Sequence, residues 1–140
     1  MSPQQQQPTV DDVMAMAQFR AALRQFLRRS ERVARKSGLT PQRHLLLMMI
    51  KGAPGATEQS TVTELSERLQ LAQSTVTELV RRAEEAGLVE RQQSQRDARV
   101  AYLRLTPEGE RRFLQSFTAL ATERAQLRDA FAHLNESEVI

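Results

Sequence analysis

Residues 61–91 read TVTELSERLQLAQSTVTELVRRAEEAGLVER, and the spacing of apolar and capping residues here predicts the central architecture of the chain. It begins with a capping box from Thr61 to Glu64, a pair of residue types that satisfies the first free amides of a helix. A brief turn near Leu71 separates this helix from a second one, which ends near Gly87. Each helix has an apolar face at helical spacing: Val62, Leu65 and Leu69 in the first, and Val76, Leu79, Val80 and Ala83 in the second. Two short helices joined by a tight turn predict a helix-turn-helix.

The periodicity of the sequence changes after Gly87. Residues 88–91 and 99–105 alternate enough between apolar and polar side chains to predict two strands. The polar segment 92–98 contains no glycine, so it is expected to form an extended hairpin tip rather than a two-residue turn. A helix-turn-helix followed by such a ribbon predicts a winged helix-turn-helix.

Longer helical patterns flank this central part. Residues 11–36 are predicted to form one long helix with a narrow apolar stripe. Residues 45–50 are apolar on nearly all sides, which predicts a short, buried helix. After Thr106 a second long helix of about 25 residues is predicted, and residues 135–138 look like the cap and first turn of another helix.

The composition excludes several classes of function. The 140 residues, enough for one domain, contain no cysteine and only two histidines, which argues against disulfides, thiolate chemistry and a metal site. There is no nucleophile–base pair at useful spacing and no phosphate-cradling glycine loop, so no enzyme activity and no cofactor are expected. With no apolar run of membrane length and no secretion signal, the default compartment is the cytosol, and no membrane partner is expected.

Basic residues are almost all arginine. Of the twenty basic residues only Lys36 and Lys51 are lysines, which leaves eighteen arginines, and the formal net charge is +3. A GC-rich genome would produce the same bias. A nucleic-acid partner is therefore indicated by the positions of the arginines and not by their number.

The solvent face of the second helix has the chemistry of a major-groove reader. Short hydroxyl side chains and two arginines occupy it: Ser74, Thr75, Thr77, Glu78, Arg81 and Arg82. Such a face can enter a major groove because nothing bulky and apolar blocks it. Glu78 can accept a hydrogen bond from a cytosine amino group, or it can merely pair with Arg82 at i+4. An ordinary solvated helix face is the alternative.

The ribbon strengthens the case for DNA. Four arginines lie in or beside it, with only Glu90 and Asp97 opposing them: Arg91, Arg96, Arg99 and Arg104. Arginines on a thin projection can reach a narrow minor groove, where the potential is most negative. Asp97 is expected to orient Arg99 or to bind backbone amides of the tip rather than to contact DNA.

The sequence at this point resembles a known family. The stretches Leu65–Leu69, Ser74–Arg82 and Gly87–Arg91 look like the helix-turn-helix of MarR-type regulators. Arg96-Asp97-Ala98-Arg99 and the exit Leu103–Gly109 are similar to the wing of that family and its connection to the next helix. The resemblance covers roughly residues 11–134. It implies a largely helical homodimer that reads a palindromic operator, with base contacts from Ser74, Thr75, Thr77 and Arg81 and with Arg99 in the minor groove.

The sequence departs from the family pattern in three places. In the second helix of the helix-turn-helix, the recognition helix, the N-cap falls on Ala72, which is a poor capping residue. The capping residues present in the sequence would instead start this helix at Ser74 or Thr75. The cysteine of oxidant-sensing members is absent, which excludes peroxide sensing by a thiol. The last helix is cut short after Ile140, so the chain is either naturally short or truncated.

Dimerisation is also expected from the apolar stripes of the terminal helices. These stripes bury best against a second copy, and they consist of Met16, Phe19, Leu23 and Phe26 with Phe117, Leu120, Leu127 and Phe131. A two-fold dimer would place two recognition helices about 34 Å apart, one turn of DNA. The alternative is that the stripes form only the core of the monomer.

These interpretations divide the chain into four segments. They are a disordered glutamine-rich arm (1–10), an N-terminal dimerisation helix (11–38), a DNA-binding lobe (39–105) and C-terminal dimerisation helices (106–140). Within the lobe, the recognition helix spans about 73–86 and the wing about 88–105. The expected function is that of a ligand-responsive repressor at the nucleoid, and the alternative is a winged-helix module for protein–protein interaction.

A small-molecule effector site is implied by the resemblance alone. It would lie between the dimer helices and the DNA-binding lobe and would take small aromatic acids, with candidate residues Phe19, Arg20, Arg43, His44, Met48 and Met49. An arginine could hold a carboxylate, and methionines could adapt to a ring. The simpler alternatives are that the methionines are plain core and that Arg43 and His44 are solvated.

Overall fold

The structure is a computed structural model in which residues 7–137 are described. Within that range the chain forms six α-helices, one short 3₁₀ turn and a two-stranded antiparallel sheet. In chain order these are α1 (Val10–Lys36), α2 (Pro41–Lys51), the 3₁₀ turn (Pro54–Ala56), α3 (Val62–Leu69), α4 (Gln73–Glu85), β1 (Val89–Gln93), β2 (Ala101–Leu105), α5 (Pro107–Ala119) and α6 (Ala121–Ser137). The predicted fold class, mainly α with a winged helix-turn-helix, is confirmed.

Two compact units divide the chain. One consists of residues 31–118, and the other combines the residues up to 30 with those from 119 onward. No helix within residues 7–137 has both the length and the apolar character needed to cross a membrane. Most of the predicted glutamine-rich arm lies outside the described residues, and Gln7 to Thr9 are non-helical and exposed.

The core of the 31–118 unit is built from the predicted apolar faces. Its buried side chains come from every element of the winged helix: Ala34, Leu39, Leu46, Leu47, Ile50, Leu65, Val76, Leu79, Val80, Ala83, Leu88, Val89, Leu103 and Phe113. Full burial of one large aliphatic side chain stabilises a fold by roughly 1.5–3 kcal/mol. The prediction that α2 is buried on nearly all sides was too strong, because Leu45 remains 42% exposed.

Local sequence signals set most helix starts. The hydroxyl of Thr61 accepts a hydrogen bond from the Glu64 amide (3.1 Å), and Thr40 caps α2 in the same way through the Arg43 amide (3.2 Å). At the start of α1, the Thr9 hydroxyl accepts from the Asp12 amide while the Asp12 carboxylate accepts from the Thr9 amide. These bonds satisfy donors that the helix itself leaves free.

The C-terminal part differs from the sequence prediction. The single helix of about 25 residues expected after Thr106 is broken at Leu120, which separates α5 from α6. The sequence contains neither glycine nor proline there, so no local residue signals the break. The new helix expected at residues 135–138 is also wrong as far as Ser137, because α6 continues through that residue, and Glu138 lies outside the described residues.

The strands of the wing differ from their predicted bounds, and the wing has an extra contact. The second strand begins at Ala101 rather than at residue 99, because the Arg99 amide is bound by Asp97 in the turn. The two strands pair from Val89 with Leu105 to Gln93 with Ala101, so the strand prediction missed two glutamines at the end of β1. Backbone ladder bonds form whatever the side chain, so polar residues extend a strand without a hydrophobic signal. On the other edge of β2, Ser60 exchanges two backbone hydrogen bonds with Leu103 (3.1 and 2.8 Å), which fixes the base of the wing next to α3.

Candidate nucleic-acid interface

Helix α4 has a buried apolar side and an exposed polar side. Ser74, Thr75, Thr77, Arg81 and Arg82 are exposed, Glu78 is half-buried, and the four predicted apolar side chains are buried. The helix begins at Gln73, and its N-cap Ala72 offers no side-chain hydrogen bond. The start expected from local signals at Ser74 or Thr75 is therefore wrong, because burial of the apolar face sets the start of the helix more strongly than a capping side chain does.

A network of charged side chains lies along this exposed side. Glu78 Oε1 accepts hydrogen bonds from Arg81 Nη2 (2.5 Å) and Arg82 Nε (3.1 Å), and Glu78 Oε2 accepts one from Arg81 Nε (3.0 Å). Arg81 also binds Glu85. Hydrogen bonds from Arg81 and then from Arg82 lower the pKa of Glu78 to about 2, so this carboxylate is ionised at neutral pH. The pairing of Glu78 with Arg82 considered from the sequence is present, while a contact with cytosine stays a prediction.

At the tip of the wing, Asp97 forms hydrogen bonds with Arg99. The Asp97 carboxylate accepts from the Arg99 amide (3.0 Å) and from Arg99 Nε (3.3 Å), as the sequence led us to expect. Ser94 supports the turn, because its hydroxyl accepts from the amides of Arg96 and Asp97 (3.2 and 3.3 Å). The Arg99 side chain nevertheless remains 92% exposed. The turn thus fixes the backbone of the tip while the guanidinium stays accessible.

Side-chain hydrogen bonds connect the wing to α4 and α4 to α3. Arg91 of β1 donates to Glu84 of α4 (2.8 Å), and this hydrogen bond raises the pKa of the Arg91 guanidinium. The Gln73 side chain donates to the Thr63 hydroxyl of α3 (3.4 Å). Thr63, Arg91 and Arg99 in turn line one cleft of about 400 Å³ between the start of α3 and the wing. The hydroxyl-rich start of the helix-turn-helix and the arginine of the tip therefore border the same cleft.

Sequence reasoning missed two residues that support this surface. Ser60 is fully buried and pairs with β2, but a lone serine in a loop gives no signal of such a bridge. Thr63 was treated only as part of a capping box, although its position in the first turn of α3 could have marked it as facing the wing. Among the described residues no cluster of three or more His, Cys, Asp or Glu side chains could hold a metal ion.

The candidate effector residues are divided between the two units. Phe19 and Arg20 belong to the unit formed by the chain ends, where Phe19 meets Phe131 edge-on with ring centroids 6.1 Å apart. Arg43, His44 and Met48 belong to the 31–118 unit. A pocket that combines the two groups stays a prediction.

The α2 candidates differ in how they are packed. The alternative that His44 is solvated is wrong, because only 3% of the residue is exposed and its ring lies 5.6 Å from that of Phe113. Its Nε2 atom is buried without a hydrogen-bond partner, and burial lowers the pKa of the imidazole. Met48 and Met49 are partly buried against the core, which agrees with the simpler alternative for both.

Comparison with known proteins gives a consistent result. Residues 37–100 match the family model described as MarR family. The sequence has no significant match among curated proteins. The matched segment runs from the loop before α2 to the residue before β2, and it includes α4 and the tip of the wing.

Solved structures share this fold over most of the chain. A MarR family transcription regulator aligns with 24% identity and a TM-score of 0.66, covering 90% of this chain and 81% of its own. A mutant of E. coli MarR complexed with operator DNA aligns with 20% identity and a TM-score of 0.67, covering 84% of this chain and 85% of its own. The YusO protein of Bacillus subtilis aligns with 23% identity and a TM-score of 0.62, covering 95% and 100%. At these identities the likeness establishes the fold.

Proposed function

We propose that this chain is a sequence-specific double-stranded DNA-binding transcription regulator of the MarR family, which the match of residues 37–100 to that family model supports. It acts as a homodimeric repressor on a palindromic operator and is released by a small aromatic acid. The main support for this proposal is the face of α4 that exposes hydroxyl groups and arginines. The wing beside it has an Arg99 side chain that is 92% exposed. A solved E. coli MarR mutant of the same fold is complexed with operator DNA, which supports it.

The proposed DNA contacts follow from the two projecting elements. In the major groove, α4 presents Ser74, Thr75, Thr77, Glu78, Arg81 and Arg82 to base edges and phosphates. In the minor groove, the wing inserts Arg99 and Arg96. Asp97 holds the Arg99 guanidinium toward its target rather than contacting DNA itself.

Dimerisation through the chain ends has support from exposed apolar side chains. Within the described part of that unit, six large apolar residues lie on the surface: Val10, Val13, Met14, Met16, Leu27 and Phe131. Exposed apolar side chains often mark an interface, and of the stripe expected from the sequence Met16 and Phe131 are among these six, whereas Leu120 is buried within the single chain. A copy of the same surface is the natural cover, because two-fold dimers bury one patch against itself.

Release by an aromatic acid is assigned to residues at the start and middle of α2. Arg43 at the start of α2 supplies a cation for a carboxylate, and the partly buried Met48 lies five residues further along the same helix. Benzoate added to the protein–DNA complex is expected to lower its affinity. An Arg43→Ala variant that responds to benzoate as the wild type does would contradict this assignment.

The proposed function is tested by selecting duplexes from a random library with the full chain. We expect enrichment of a symmetric element of roughly 16–20 base pairs, with half-sites one helical turn apart. Affinity for that element should fall steeply as salt rises, since arginines replace counterions on the phosphates. If no sequence is enriched and binding shows no salt dependence, the chain is a module for protein–protein interaction instead.

Removal of the wing arginine gives a first quantitative prediction. Arg99→Ala is expected to weaken operator binding by about 1–3 kcal/mol, or roughly 5- to 150-fold, because a minor-groove contact is lost. Arg111→Ala is the matched control, since it removes an exposed arginine of α5 that pairs with Glu108. Fluorescence anisotropy with the selected duplex measures both variants. Equal losses in the two variants would show that only overall charge matters.

A charge placed in the exposed apolar surface tests the dimer. Leu27 is 53% exposed on α1, and Leu27→Glu is expected to weaken self-association at least about tenfold, because a buried carboxylate would lose its hydration. Leu45→Glu, at 42% exposure on α2, is the control that should leave association unchanged. Sedimentation equilibrium measures both. A Leu27→Glu protein that remains as dimeric as the wild type would place the interface elsewhere.

A further inference from the structure

The arginines of the candidate interface are mostly paired with carboxylates of the same surface. The pairs are Arg81 and Arg82 with Glu78, Arg81 with Glu85, Arg91 with Glu84, and Arg99 with Asp97. Arg96 and Arg104 are the exceptions, because within residues 7–137 no carboxylate lies within salt-bridge distance of either side chain. The surface proposed to meet DNA therefore carries its own counter-charges.

Glu78 differs from the other carboxylates because it holds two arginines at once. Both of its oxygens accept from Arg81, and one of them also accepts from Arg82, which leaves the three charges in a single fork on the exposed side of α4. This side is the one that the recognition helix would turn toward base edges. The low pKa of Glu78 means that protonation does not release the arginines near neutral pH.

A DNA phosphate must compete with the Glu78 carboxylate for Arg81 and Arg82. Non-specific affinity arises mainly from arginines and lysines that replace counterions on phosphates. An arginine already bound to Glu78 gives up a charge-assisted hydrogen bond to reach a phosphate, so its net gain on an arbitrary sequence is small. On a sequence that offers Glu78 a base amino group, such as that of cytosine, the carboxylate gains a new donor, Arg82 is freed, and Arg81 keeps only its pair with Glu85.

We infer that Glu78 is a specificity-determining residue: it withholds Arg81 and Arg82 from the phosphates of non-cognate DNA and releases them where a base edge binds Glu78 in their place. This inference rests on the proposed function and adds a role that acts against wrong sequences. Specificity is a difference between two affinities, so a group that penalises the wrong partner raises it as effectively as a new contact with the right one.

The chain contains a second copy of the same fork that serves as a control. Glu78, Arg81 and Arg82 have the spacing Glu-x-x-Arg-Arg, and so do residues 108–112 of α5. Glu108 accepts from Arg111 Nε (3.0 Å) and Nη2 (2.6 Å) and from Arg112 Nε (2.8 Å), and these bonds lower its pKa to about 2 as well. The two carboxylates are 45% and 41% exposed. Glu108 belongs to none of the elements proposed to contact DNA.

The test compares Glu78→Gln with Glu108→Gln, which change the net charge equally. The probes are a labelled 30-base-pair duplex of mixed sequence and the duplex enriched by the wild type, titrated between 50 and 200 mM NaCl. One extra phosphate contact per subunit in Glu78→Gln should steepen the log–log salt slope on the mixed duplex by about 2 for the dimer, or roughly tenfold in affinity over this range. The preference for the enriched duplex should fall by a similar factor, and Glu108→Gln should behave as the wild type does.

The outcomes separate this inference from the proposed function. Equal behaviour of the two variants on the mixed duplex would overturn the inference, because only overall charge would then matter. A loss of affinity for the enriched duplex, with the mixed duplex unchanged, would reduce Glu78 to an ordinary base contact. Failure of the wild type to enrich any sequence would overturn the proposed function, while the mixed duplex would still test whether Glu78 restrains the arginines. Exposed ion pairs contribute little to folding, so both variants should fold, and circular dichroism checks this.

Discussion

Gly109→Ala is expected to destabilise the 31–118 unit by more than about 3 kcal/mol, because the site has no room for a methyl group. A Cβ atom at this position would lie 2.0 Å from the carbonyl oxygen of Leu88, which is backbone and cannot rotate away. The same oxygen accepts a hydrogen bond from the Thr106 amide (3.0 Å). Urea unfolding followed by circular dichroism measures the loss.

The effect of Gly109→Ala should extend to DNA binding. Leu88 directly precedes β1, and the Thr106 hydroxyl both donates to Gly87 O (2.6 Å) and accepts from the Gly109 amide (3.0 Å). A displaced Leu88 would therefore shift the base of the wing together with the start of α5. We expect the variant to bind the selected duplex poorly even at temperatures where it remains folded.

Gly87→Ala is the control that separates backbone strain from a clash. Gly87 has a φ of +76°, but a Cβ atom there would meet nothing within 4 Å. Its cost should be that of a left-handed L-residue, about 1–2 kcal/mol. If Gly87→Ala destabilises the protein as much as Gly109→Ala does, the close approach of α5 to Leu88 is not what requires glycine at 109.

The sequence predicted those features that depend on neighbouring residues. The cap at Thr61 and the buried face of α4 follow from patterns within about one or two helical turns, and both are present. The turn at the wing tip is similar, since Asp97 reaches Arg99 only two residues away. In each case the interacting groups are so close in sequence that spacing alone fixes their geometry.

Features that join distant parts of the chain could not be predicted from such patterns. Ser60 pairs with Leu103, and His44 is buried beside Phe113, although each pair is far apart in sequence. The break between α5 and α6 at Leu120 is not marked by a glycine or a proline in the sequence. The fork at Glu78 was foreseen only in part, because spacing allows an i,i+4 pair but cannot show that Arg81 and Arg82 share one carboxylate.

His44 should make the stability of the protein depend on pH. Its ring is 3% exposed and Nε2 has no partner, so burial disfavours the imidazolium and lowers the pKa below its usual value of 6.5. In the unfolded chain the ring protonates near pH 6.5, while the folded protein takes up that proton only at lower pH. The unfolded state therefore binds more protons in this window, and stability falls as pH decreases below 6.5, by at most about 1.4 kcal/mol per pH unit.

Replacement of His44 by an apolar residue should remove this dependence. His44→Leu leaves no group to protonate and no buried Nε2 without a partner, so its unfolding free energy should change less between pH 6.5 and 5.0 than that of the wild type. His133→Leu is the matched control, because His133 is exposed and its Nδ1 lies near the carbonyl oxygen of Asp129 (2.8 Å). Urea titrations at pH 8.0, 6.5 and 5.0 measure all three proteins. Since other carboxyl groups titrate alike in each, a His44→Leu protein with the same pH slope as the wild type would show that the buried imidazole accepts a proton without cost.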